Sequence, residues 1–192
     1  MNKLSRIFVF ALIAIGLMAF NPIKKLPEGW QKHGSNHKMY KIGLDNKVFK
    51  EGANSGFIKS KKEKTYGFGS LMQTCSAKEF RGKKIRMTGY LKSKNVDGWT
   101  GLWLRINGDD KSNPLAFDNM QDRPIKGTSD WTKCEIEMQV PQNSVTFSFG
   151  ALLVGSGKIW FDNISFEEIP SSDGLKTTSI KLKGSVNLNF EN

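Results

Sequence analysis

Between Gly29 and Ile169 apolar and polar residues alternate with a period of two, in short runs broken by Gly, Asn, Asp, Pro and Ser. No stretch of helical length carries the 3.6-residue apolar rhythm. That alternation commits the chain to β structure, because a strand sends successive side chains to opposite faces whereas a helix cannot gather an alternating set on one side. The spacing predicts strands near 38–44, 55–60, 66–74, 83–92, 99–106, 114–118, 131–140, 145–153 and 158–168. Such a series fits an all-β fold, a two-sheet antiparallel β-sandwich of the jelly-roll type, over residues 29–169. Only the stretch from Ser76 to Phe80 reads as a helical turn. No internal repeat is visible. After Pro170 the composition turns polar, and residues 170–192 form either a flexible extension or one added strand, since Ser179 to Asn189 alternates weakly.

Composition narrows function. With two His and two Cys in 192 residues, a His- or Cys-rich metal cluster and a disulfide-framework fold are excluded. Residues 1–20 join a basic start, Lys3 and Arg6, to the apolar run from Ile7 to Met18, with no acidic residue. This is the pattern of an export signal or, if uncleaved, of an N-terminal anchor, and the run is shorter than the roughly 20 apolar residues of a spanning helix. Residues 21–28 are a spacer. The expected location is periplasmic or extracellular, with membrane contact only through an uncleaved leader. Loss of Lys3 and Arg6 with the leader lowers the net charge from +11 to +9. The densest basic run, Lys59 to Lys64, falls in a hairpin loop and is not interleaved with aromatics, so it reads as a solvated face and no nucleic-acid partner is expected.

Alternation also says which side chains share a face. Around residue 103, Leu102, Leu104 and Ile106 point to the core, and Trp99, Gly101, Trp103 and Arg105 point away from it. The strand from Lys83 to Lys92 splits into Ile85, Met87 and Leu91 against Arg86, Thr88 and Tyr90. Aromatic rings beside guanidinium groups suit a sugar, whose C–H face packs on a ring while its hydroxyls need donors and acceptors. The loop from Pro114 to Trp131 is crowded with hydrogen-bonding side chains, and is either a binding loop or a self-satisfied one in which Arg123 pairs with Asp118 or Asp122. Trp30 and Trp131 read as packing residues. The ligand set expected from these faces is Tyr90, Trp99 and Trp103 for stacking, and Arg86 and Arg105 as donors. Gln73, Asp118, Asn119, Gln121 and Arg123 supply the remaining polar contacts.

Catalytic groups are sparse. His33 and His37 lie in the N-terminal approach without a Ser or Cys partner in a recognisable motif, and the Asp and Glu residues cluster where turns fall. A binding protein without chemistry is the expectation, ahead of a protein- or envelope-polymer-interaction module and then of a glycoside-acting enzyme. Cys75 and Cys134 are either a disulfide or buried thiols.

Several longer motifs resemble a known family. Gly82-Lys83-Lys84-Ile85-Arg86, the strand ending in Val140-Pro141, and Ile159-Trp160-Phe161-Asp162-Asn163-Ile164-Ser165-Phe166 resemble the galactose-binding-like jelly rolls, which include many carbohydrate-binding modules. Gly101 to Arg105, Leu115 to Thr128 and Phe149 to Gly157 are similar to a bacterial module of unassigned function, found alone or fused to regulators of the AraC type. The likeness spans about Pro27 to Ile169. It implies a jelly roll and a carbohydrate or glycan partner. It also implies a structural calcium, with Asp162 at the position of a carboxylate ligand, and no other cofactor.

Overall fold

In a computed structural model, residues 26–170, 178–182 and 184–191 are described. The expected leader, residues 1–20, lies outside them. Ten strands follow in order: β1 Gln31–His33, β2 Tyr40–Asp45, β3 Ser55–Ser60, β4 Phe68–Ser76, β5 Lys84–Asn107, β6 Pro114–Asp118, β7 Ile125–Gln139, β8 Thr146–Val154, β9 Lys158–Ile169 and β10 Thr178–Ile180. Single 3-10 turns occupy His37–Met39 and Lys78–Phe80. All the strand pairings are antiparallel.

Two layers result, joined through β5. One runs β1-β4-β8-β5-β6 and uses residues 99–107 of β5. The other runs β7-β5-β9-β3-β2 and uses residues 84–94, with β10 beside the far end of β9. The turn-forming residues Ser93 to Gly98 look like a loop, and the spacing accordingly predicts two strands there. They form bulges instead: register shifts against β7 fall on both sides of Ser93 and Val96, and Asn95 takes a φ of 52°. Such irregularities bend a strand sharply, which lets one continuous strand leave one layer and enter the other.

The core lies between the layers. Leu102, Leu104 and Ile106 from one half of β5, and Ile85, Met87 and Leu91 from the other, are buried against Phe147 and Phe149 of β8 and Phe161 and Phe166 of β9. Trp30 plugs one end as anticipated, its ring 4.8 Å from Phe190 and 5.5 Å from Phe161, with its indole N–H donating to the Asn187 carbonyl at 3.0 Å. The described part of the C-terminal segment therefore belongs to the sandwich: β10 pairs with β9, and Leu182 and Phe190 are buried. Cys75 and Cys134 are both free and buried, on β4 and β7, so the disulfide alternative is not realised. Burial pushes both thiols up to about 12.

Candidate functional site

The second half of β5 sits inside its layer, and its outward residues Trp99, Trp103 and Arg105 line a groove of about 380 Å³. Phe68 and Met72 of β4, Leu152 and Val154 of β8, and Phe117 of β6 complete the apolar surface. His33, Asn107, Lys111, Asn119 and Ser148 supply its polar rim. The register explains the shape. Trp103 stands opposite Gly150 of β8, and beyond it β4 carries Ser70 on the same face. The indole reaches past β8 and donates its N–H to the Ser70 hydroxyl at 2.9 Å; Ser70 in turn donates to the Ala151 carbonyl at 2.7 Å. Trp103 is thus only 8% exposed and forms a fixed floor, while Trp99 is half-buried and Phe117, at 52% exposure, stands as the open wall.

Gly101, between the two indoles, is packed against a neighbouring turn. A Cβ there would come within 2.8 Å of the Asn119 carbonyl and 2.9 Å of the Met120 side chain. The missing side chain makes room for the 119–120 turn, which places Asn119 at the groove.

Arg105 is anchored along one edge. Its Nε donates to Asn107 Oδ1 at 2.8 Å and its Nη2 to the Lys111 carbonyl at 2.6 Å. Arg86 and Arg123 are held by carboxylates instead. Arg86 Nη2 is 2.6 Å and Nη1 3.5 Å from Glu137 and Glu167, and Arg123 Nη2 and Nη1 are 2.6 and 2.7 Å from Asp118 and Asp122. The bonds to Glu137 and Asp118 hold the two guanidiniums still further above their usual range.

The ten ligand residues expected from sequence therefore separate. Trp99, Trp103, Arg105 and Asn119 come together. Asp118, Gln121 and Arg123 line a second depression on the far side of Phe117. There Asp118 accepts from the Met120 N–H at 2.7 Å as well as from Arg123, and Asn119 Oδ1 accepts from the Gln121 N–H at 3.1 Å, so the loop largely satisfies itself. Arg86 and Tyr90 stand apart on the outer face of the other layer, where Lys50 covers the Tyr90 ring at 5.1 Å, because the bulges carry β5 between layers. Gln73 does not serve a ligand at all. It is 1% exposed on the core face of β4, accepting from the Val186 N–H and donating to its carbonyl, which ties the C-terminal segment to the sheet. Sequence reasoning missed Phe117, Met72 and Lys111. Alternation marks Phe117 as facing one way along β6, but nothing local says that this face is open.

No family model matches the chain. It is 35% identical over 175 residues to an uncharacterised HTH-type transcriptional regulator, YbfP of Bacillus subtilis, a match covering 88% of this chain and 58% of the regulator. The chain thus spans less than two thirds of that relative's length. The described residues form no α-helix and so hold no counterpart of a helix-turn-helix. Among solved structures, the CBM22-1 xylan-binding domain of Paenibacillus barcinonensis Xyn10C superposes with a TM-score of 0.54 at 14% identity, over 78% of this chain and 91% of that domain. The fold is the jelly roll of carbohydrate-binding modules. The same jelly roll superposes on the enzymatically active domain of bacteriophage CBA120 tailspike protein 4, with a TM-score of 0.56 at 13% identity, over 74% of this chain and 20% of that one.

Asp162 does not fit the calcium that such jelly rolls imply. Its Oδ2 accepts the Lys50 and Glu51 N–H groups at 2.9 and 3.3 Å, and Oδ1 accepts the Asn163 N–H at 2.8 Å. Glu191 likewise accepts from Ala53 and Asn54. Calcium wants six to eight oxygens, and here the carboxylate oxygens accept amide hydrogens that hold the 50–54 loop. Among the described residues no group of three His, Cys, Asp or Glu side chains is placed to hold a metal.

Proposed function

We propose that this protein is an exported, non-catalytic jelly-roll module that binds a carbohydrate or glycan in the groove over Trp103. The observation that carries this reading is the groove itself: a rigid indole floor, a half-buried Trp99 and exposed Phe117 to pack against sugar C–H faces, and Asn119 and Arg105 beside them for hydroxyls. Hydrolysis of a glycosidic bond needs two carboxylates flanking it, and no Asp or Glu lines this groove, which favours binding over turnover. The leader-like residues 1–20 support export. The likeness to a transcriptional regulator is compatible with the same role, since the described residues of the shared portion form no α-helix and would be a ligand-binding half.

A titration of the protein with poly- and oligosaccharides, followed by tryptophan fluorescence, tests the reading. A saturable change is expected with at least one sugar, weakened about tenfold in Trp99→Ala and in Phe117→Ala with the fold intact. Saturation unaffected by either substitution would place the site elsewhere. Failure of every sugar in the panel would favour the same face as a protein interface.

A further inference from the structure

The charges around the groove are one-sided. The formally charged residues lining it at pH 7 are Arg105 and Lys111, both cationic, beside His33, and none is acidic. Elsewhere a minority of the cations among the described residues is neutralised at short range: Arg86 by Glu137 and Glu167, Arg123 by Asp118 and Asp122, Lys83 by Glu168, Lys158 by Asp45. Arg105 is not. Among the described residues no carboxylate lies within ion-pair distance of it, and its Nε and Nη2 are held by neutral acceptors, leaving Nη1 without a hydrogen bond. Asp109 and Asp110, the acidic residues nearest in chain, neither line the groove nor pair with Arg105 or Lys111. Asp110 accepts from the Ser112 N–H and hydroxyl at 2.8 and 2.6 Å and from Asn113 at 3.3 Å, and Asp118 is engaged by Arg123 and the Met120 N–H.

A groove made for neutral sugar hydroxyls gains from acceptors as much as from donors, because each hydroxyl is both. This one offers a fixed, uncompensated guanidinium and an ammonium in an otherwise apolar and neutral trough, which is the complement of an oxyanion. Resting on the carbohydrate reading above, we infer that the ligand is an acidic glycan, its rings seated against Trp99 and Phe117 and an oxyanion on one ring at Arg105 and Lys111. A uronate carboxylate and a sulfate ester share this chemistry, and the test separates them.

The protein is titrated calorimetrically with polygalacturonate, alginate and hyaluronate, with the methyl ester of polygalacturonate, with neutral xylan, and with dextran sulfate. Expected is saturable binding of an acidic polymer, at least tenfold tighter than its neutral counterpart, weakening as salt is raised. It should fall about tenfold in Arg105→Gln and less in Lys111→Gln, whose exposed side chain can be changed without touching the carbonyl that holds Arg105. Uronates rather than dextran sulfate showing this dependence assigns the carboxylate; the reverse assigns the sulfate ester. Equal affinity for charged and esterified polymer overturns the acidic ligand while leaving the sugar groove in place. Acidic binding unchanged in both groove variants but lost in Lys61→Gln/Lys62→Gln overturns it as well, by assigning the effect to the basic loop. No binding of any polymer removes the carbohydrate reading itself.

Discussion

Trp99 and Trp103 share one strand face in the sequence, yet their energetics differ. Trp103 is packed across β8 with its N–H satisfied by a buried hydroxyl, so Trp103→Ala removes a core-like side chain and strands Ser70 without its donor. A loss of about 3 kcal/mol or more is expected in urea unfolding, against about 1 kcal/mol for Trp99→Ala. Comparable small losses for both would show that the Ser70 contact is weak. A binding assay should therefore read Trp99 and Phe117, since Trp103→Ala confounds folding with affinity. The two thiols give a second prediction. Cys75 and Cys134 are buried and held as thiols by that burial, so a disulfide-forming reagent should label neither in the native protein and both after denaturation, at a rate set by opening of the core. Prompt labelling of either under native conditions would contradict the packing. Residue faces were legible from alternation; depth was not, because it depends on Ser70, on a strand that is not sequence-adjacent.

The strands themselves were mostly legible, β3 and β6 to the residue, because each alternating run is bounded by turn formers. Several stretches were not: β1 falls outside every expected strand, and residues 125–130 of β7 lie where a loop was expected. Ser93 to Gly98 carries turn chemistry inside what is one strand, and no local signal separates a bulged crossing from a loop. The C-terminal segment reads as a flexible extension or one added strand; β10 agrees with the strand, but the long-range burial of Leu182 and Phe190 that builds it into the core carries no local signal. Gly56 on β3 reports on that packing. A Cβ there would lie 2.7 Å from Phe161 and 2.8 Å from Phe190, both rings wedged under Trp30. Gly56→Ala should cost about 1–3 kcal/mol in thermal or chemical unfolding, and Gly56→Ala combined with Phe190→Leu should recover part of it by opening space. Simple additivity of the two losses would mean that the C-terminal segment is not seated on β3. The same segment explains why Gln73, an apparent donor on a strand, is a buried clamp: its partner, Val186, lies 113 residues away.

For the whole molecule, the balance of buried and paired carboxylates sets how stability depends on pH. Asp45, on β2, reaches across to β9, accepting from Lys158 Nζ and from the Trp160 indole N–H, both at 2.8 Å. Burial acts to raise its pKa, but those two bonds, the Lys47 N–H and the Lys158 charge outweigh it and hold the group at about 2, below the ordinary 3.8. A carboxyl depressed on folding stabilises the native state above its unfolded pKa, and that stability is lost as pH falls from about 4 towards 2. With the side chain only 15% exposed, the contribution is on the order of 2 kcal/mol. Asp162 runs the other way: burial raises its pKa despite three N–H donors, so its ionisation opposes folding as pH rises past the ordinary carboxylate range. Acid should therefore unfold the protein mainly by releasing the β2–β9 clamp, partly offset by protonation at Asp162. Denaturation of the parent and of Asp45→Asn at pH 7 and pH 2.5 checks this. The variant should be less stable by about 2 kcal/mol at pH 7 and by only about a third of that at pH 2.5. A difference that persists unchanged at low pH would show that Asp45 contributes through shape rather than charge, and would leave the acid sensitivity of the sandwich to its other ion pairs.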